Sequence, residues 1–109
     1  MEKIKKYEAA ILDILEFYKK SADEETYFIT DLKQHHYQVL QSGWTDEKSF
    51  KMWIDLHFHI KPDGKVWILE NRTEEDVAKD LVKRGVKKYD IVLGFLPEYA
   101  RPYSEYAVA

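Results

Sequence analysis

Between residues 50 and 60 every even position is apolar: Phe50, Met52, Ile54, Leu56, Phe58 and Ile60. Lys51, Asp55, His57 and His59 take odd positions, and only Trp53 interrupts the alternation. A period of two sends successive side chains to opposite faces, so the run reads as a half-buried antiparallel strand. Pro62-Asp63-Gly64 supplies the turn that follows: proline fixes φ, aspartate closes the loop and glycine accepts the left-handed conformation. Lys65-Val66-Trp67-Ile68-Leu69 returns as the next strand. If Lys61 and Lys65 flank a three-residue loop, Phe58 faces Ile68 and Ile60 faces Val66 on one side. On the other side His59 faces Trp67 and His57 faces Leu69. That second face carries Trp53, Trp67 and Leu69 among histidines, which predicts that something covers it.

The flanking segments complete an α+β pattern. Residues 2–20 read as an amphipathic helix, with Ile4, Tyr7, Ile11, Ile14, Leu15 and Tyr18 on one stripe. Thr26–Thr30 is rich in β-formers and reads as a first strand. His36–Leu40 reads as a second, ending near Gly43-Trp44. A second helix is marked by Thr73 as N-cap, the acidic turn Glu74-Glu75-Asp76, the stripe Val77, Ala78, Leu81 and Val82, and Gly85 as terminator. The expected order is N-terminal helix, four-stranded antiparallel meander, second helix and an irregular aromatic C-terminal tail, in one domain spanning residues 1–109.

The tail is unusual for a chain end. It keeps Phe95, Leu96, Tyr99, Tyr103, Tyr106 and Val108, where termini generally turn polar and fray. So large an apolar load predicts docking, on the domain itself or on another protein. Together with Trp44, Trp53 and Trp67, the tail tyrosines exceed what a small two-helix core conceals, and such residues anchor protein interfaces.

Other chemistries find little support. No cysteine is present, which excludes disulfides, thiolate zinc sites and a cysteine nucleophile. No apolar run reaches the roughly 18 residues of a membrane span, and the expectation is a soluble, cytoplasmic protein. There is no phosphate-binding glycine loop, no nucleophile elbow and no paired metalloprotease histidines. Asp55, His57 and His59 lie in one row, and with His35 or His36 they could build a metal-dependent hydrolase or nuclease site. The bland reading, a weakly polar sheet face with His59 packed on Trp67, is favoured. Asp55 with Glu70 is the one carboxylate pair that could flank a cleft. Net charge is −3, and a DNA-gripping chain normally carries a basic surplus. The basic group Lys79, Lys83, Arg84, Lys87 and Lys88 reads as the end of a helix complementing its dipole. The residues therefore argue against an enzyme and against direct DNA contact.

Several segments taken in order resemble the XisI family, the fdxN element excision controlling factors of cyanobacteria. They are His36–Leu40 with Gly43-Trp44, Asp63–Ile68, Thr73-Glu74 with Ala78, Leu81-Val82 and Gly85-Val86, then Asp90–Phe95 and Ala107-Val108-Ala109. The resemblance implies a controlling factor in programmed excision of a DNA element during heterocyst differentiation. It implies action beside a partner, XisH, and a recombinase, XisF, with XisH resembling the endonuclease-like fold class. On that footing the expected protein is non-enzymatic, needs no cofactor, binds a XisH-like protein, admits a homodimer and touches DNA only indirectly. Trp53, His59, Trp67, Tyr99, Arg101 and Tyr103 are the expected contact residues.

Overall fold

A computed structural model describes residues 2–109. The chain runs α1 (Glu2–Lys19), β1 (Thr26–Asp31), β2 (His36–Trp44), β3 (Phe50–Ile60), β4 (Val66–Asn71), α2 (Val77–Lys83) and β5 (Ile91–Leu93), with 3-10 turns at Lys88–Asp90 and Glu98–Tyr103. The strands form one sheet in the order β1-β2-β3-β4-β5. The first four make the expected antiparallel meander, but the sheet has a fifth strand. β5 comes from the start of the segment expected to be irregular and lies parallel to β4, with Val66 opposite Ile91 and Ile68 opposite Leu93. The α2 crossover makes that parallel pairing reachable. Beyond β5, Val92 bridges Ala107, whose N–H donates to the Ile91 carbonyl at 2.8 Å.

Both helices cover one face. Tyr7, Ala10, Ile11, Ile14 and Leu15 of α1 and Val77, Ala78 and Leu81 of α2 are buried. They meet Tyr37, Val39, Leu56, Phe58, Ile60, Val66 and Ile68 from the sheet. The expected α1 stripe forms this layer, with Ile4 and Tyr18 at its half-buried margins.

Helix α2 begins later than expected. Its N-cap is Asp76, whose carboxylate accepts from the Lys79 N–H at 3.1 Å. Thr73 is occupied elsewhere: its N–H donates to Asn71 Oδ1 at 2.9 Å, and its hydroxyl accepts from the Glu75 N–H at 3.2 Å. A threonine held in its own turn leaves the first free amides to the next acceptor. Gly85, at φ 96°, closes the helix as expected. The Val86 N–H reaches the Leu81 carbonyl and the Gly85 N–H reaches Val82, the pair of bonds of a Schellman end.

The Asp90–Gly94 segment locks the tail to the core. Asp90 is buried, accepting from the Tyr7 hydroxyl at 2.5 Å and from Lys3 Nζ at 3.1 Å. Burial, then the bond to Asp90, pushes the Tyr7 phenol up to about 12. Gly94 passes close under β4: a Cβ there would lie 2.9 Å from Trp67 and 3.0 Å from Leu69. Only glycine admits that approach.

Candidate functional site

The β3–β4 hairpin pairs as its sequence implies near the turn, with Ile60 opposite Val66, His59 opposite Trp67 and Phe58 opposite Ile68. The register then slips, so His57 faces Glu70 and the expected His57–Leu69 pair does not form. Between β2 and β3 a second slip occurs: Val39 faces Leu56, while Leu40 faces Ile54. Asp55 is the extra residue of this β-bulge, and an inserted residue reverses which side chains face inward beyond it.

This reversal decides the character of the sheet. From Leu56 to Ile60 the even residues are buried under the helices. From Phe50 to Ile54 the even residues turn to the opposite, outer face. Trp53 moves to the helix side, where it pairs with Gln41 and approaches Gly43. Its indole N–H donates to Asp55 Oδ1 at 2.8 Å. The expectation that Trp53 shares a face with His59 and Trp67 is therefore corrected.

The outer face so created is apolar and uncovered over β1–β3. Tyr27 pairs with Leu40, Leu40 with Ile54, and Trp44 with Phe50. Exposure is 39% for Tyr27, 48% for Ile29, 65% for Trp44, 52% for Phe50 and 54% for Met52. The Trp44 and Phe50 rings meet edge-on at 5.4 Å. These residues carry no charge. The sequence held one signal of this surface, the interruption at Trp53.

Further along the same face the histidines gather. His36 and His59 stack with ring centroids 3.8 Å apart, and His36 Nδ1 lies 3.0 Å from His57 Nε2. Burial holds the pKa of His57 and of His59 below the ordinary histidine value; His36 and His59 add to this at His57, and His36 and Lys61 at His59. Asp55 is not with them. It lines a cleft on the helix side with Val39, Leu56, Phe28 and Gln41, so the row Asp55-His57-His59 is divided between two faces. The bulge likewise separates Asp55 from Glu70, the cross-strand partner of His57. Among the described residues no group of three or more His, Cys, Asp or Glu is arranged to hold a metal ion.

Of the remaining expected contact residues, His59, Trp67 and Arg101 come together. Lys61 Nζ lies 3.7 Å from the Trp67 ring centroid and the Arg101 guanidinium 5.1 Å. Arg101 also donates to the Leu96 carbonyl at 3.2 Å, which folds the tail back on itself. Tyr99 and Tyr103, at 81% and 88% exposure, project from the same 3-10 turn. Tyr106 instead packs on the core. The tail thus divides, part of it completing the domain and part of it remaining in water.

The family model described as XisI protein matches residues 1–108. The chain belongs to the XisI family. Two solved structures from Anabaena variabilis ATCC 29413 share the fold. One is the fdxN element excision controlling factor XisI, with TM-score 0.88 and 28% identity, covering 98% of this chain and 99% of that one. The other is a XisI-like protein with TM-score 0.86 and 34% identity, covering 97% and 99% respectively. No curated protein matches the chain at a significant level. The XisI fold here includes no helix, among the described residues, long and apolar enough to cross a membrane.

Proposed function

We propose that this XisI-family chain is a non-enzymatic accessory factor that controls excision of a DNA element, the fdxN element of heterocyst differentiation, through contacts with a XisH-like protein. The observation that carries the reading is the uncovered outer face of β1–β3. Taking about 200 Å² for a fully exposed large apolar side chain, aromatic or aliphatic, Tyr27, Ile29, Trp44, Phe50 and Met52 present roughly 500 Å². One side of a standard interface is about 800 Å², a little over half of it apolar. The patch therefore meets the apolar requirement of one stable partner. Trp67, Arg101, Tyr99 and Tyr103 extend it with the residue types that anchor such contacts. The Anabaena variabilis relative is an fdxN element excision controlling factor, a role consistent with a protein that acts by contact.

Co-expression with a XisH-like protein followed by size-exclusion chromatography tests this. Wild type should co-elute, and Phe50→Ser with Met52→Ser should not, while melting within about 0.5 kcal/mol of wild type because both side chains are exposed. Separate elution from a folded partner, or undiminished co-elution of the variant, overturns the reading. A wild-type homodimer dispersed by the same substitutions would assign the patch to a second copy instead.

A further inference from the structure

The net charge of −3 is the difference between two poles. Helices α1 and α2 run antiparallel: Asp90, just beyond α2, binds Lys3 and Tyr7 near the start of α1. At the other end the Tyr18 hydroxyl meets Thr73, ahead of α2, at 3.4 Å. This pairing puts the lysine-rich start of α1 beside the basic end of α2. Lys3, Lys6 and Lys87 line one open cleft with Tyr7, Tyr89 and Asp90. The Lys6 chain runs against Gly85, and the Lys3 chain against Gly64 in the β3–β4 turn, between Lys61 and Lys65. Lys5, Lys83 and Lys88 belong to the same segments. Of the acids at this end, Asp90 is buried against Tyr7 and Lys3, Asp13 pairs with Arg84 at 2.7 Å from an exposed position, and Glu2 is exposed, so the lysines outnumber them. The opposite end collects Glu16, Asp23, Glu24, Glu25, Glu74, Glu75 and Asp76.

We infer that the basic pole binds the phosphate backbone of duplex DNA directly. Charge complementarity supplies the attraction, since sequence-independent affinity for DNA arises mainly from lysines and arginines on phosphates. Tyr89, 63% exposed at the mouth of the cleft beside Lys87, adds a hydroxyl of the kind that contacts phosphate and sugar. The pole uses none of the outer-face residues, so this goes beyond the partner contact proposed above and stands or falls separately. It departs from the expectation of indirect DNA contact. The sequence displayed only one basic segment as a cluster, and the fold brings the second to it across more than eighty residues.

The test is fluorescence anisotropy with a labelled duplex of arbitrary sequence, about 25 base pairs long, at about 50 mM salt. With three phosphates neutralised, affinity should fall about 40-fold on raising salt to about 200 mM, a slope near −3 on logarithmic axes. Lys6→Glu with Lys87→Glu should abolish binding, and Lys3 is left intact because it pairs with Asp90. Lys48→Glu with Lys51→Glu makes the same charge change near the β2–β3 turn and should bind as wild type. If the first pair fails to fold, Lys5→Glu with Lys88→Glu takes its place and should give the same loss. The inference is overturned by absence of binding to about 100 μM protein at low salt, or by equal loss in both charge-reversed variants. Binding to phosphatidylserine vesicles without binding to the duplex would also overturn it. Any of these results leaves co-elution with a XisH-like protein untouched.

Discussion

Asp90→Ala should be among the most damaging single substitutions in this chain. The carboxylate is 5% exposed and holds two groups from α1 more than eighty residues away. Its bond from the Tyr7 hydroxyl is a hydrogen bond to a charged acceptor, a class worth about 1.5–3 kcal/mol. Lys3 is 39% exposed, so its ion pair is screened and adds no more than about 0.5 kcal/mol. The substitution also strands the Tyr7 hydroxyl in a buried site, a cost of about 1 kcal/mol in itself that overlaps the first figure. Together these give roughly 2–4 kcal/mol. With a urea slope of about 1.5 kcal/mol/M, the midpoint should fall by about 2 M. Equilibrium urea unfolding followed by tryptophan fluorescence reads this directly. Tyr7→Phe completes a double-mutant cycle, in which the coupling should exceed about 1 kcal/mol. A loss below about 1 kcal/mol for Asp90→Ala, or additivity within about 0.5 kcal/mol, would refute the reasoning.

Gly94→Ala should cost about 1–3 kcal/mol, because the new methyl meets Trp67, Leu69 and the Ile68 carbonyl; an unchanged melting curve would show that the tail yields freely there. Asp76→Ala should remove about 0.5–2 kcal/mol by uncapping α2, whereas Thr73→Ala should leave the α2 amides protected in hydrogen exchange; the reverse ranking would return the cap to Thr73. His57 and His59 have pKa values depressed in the folded state, so folding favours their neutral forms. Their contribution is complete above the ordinary histidine value of 6.5 and is lost as pH falls below it toward the lower folded values. The urea midpoint should begin to drop as pH falls below 6.5, before ordinary carboxylates start to protonate. Replacing both histidines with glutamine should flatten that drop, and an unaltered profile would place the titration elsewhere.

Much of the architecture could be read from side-chain order. The stripe of α1, the hairpin around Pro62-Asp63-Gly64 and the cross-strand pairs His59–Trp67 and Ile60–Val66 follow from periodicity and turn chemistry. The bulges could not be read in this way. Asp55 and Leu69 are ordinary strand residues, and an insertion leaves no mark beyond the misplaced Trp53. Yet the Asp55 bulge moves Phe50, Met52 and Ile54 from the interior to the outer surface, which is why strict alternation places Trp53 rather than these three beside His59 and Trp67 among the contact residues. β5 escaped notice because three residues give no measurable period. Thr73 and Asp76 are both good caps, and the choice depends on Asn71, which captures the first. The basic pole depends on which helix ends meet, a fact of tertiary packing that a net charge conceals.

The Val92–Ala107 bridge gives the two borders of the sheet different fates. On the β5 side the returning chain takes up the Ile91 carbonyl and leaves a foreign strand no room to pair. On the β1 side, Thr26–Asp31 has no neighbour beyond it among the described residues, and it holds neither lysine nor proline to discourage one. Lengthening of the sheet by another chain is therefore directed to a single border. A protein clipped before Ala107 would acquire a second sticky border and, with it, a route to open-ended fibrous stacking.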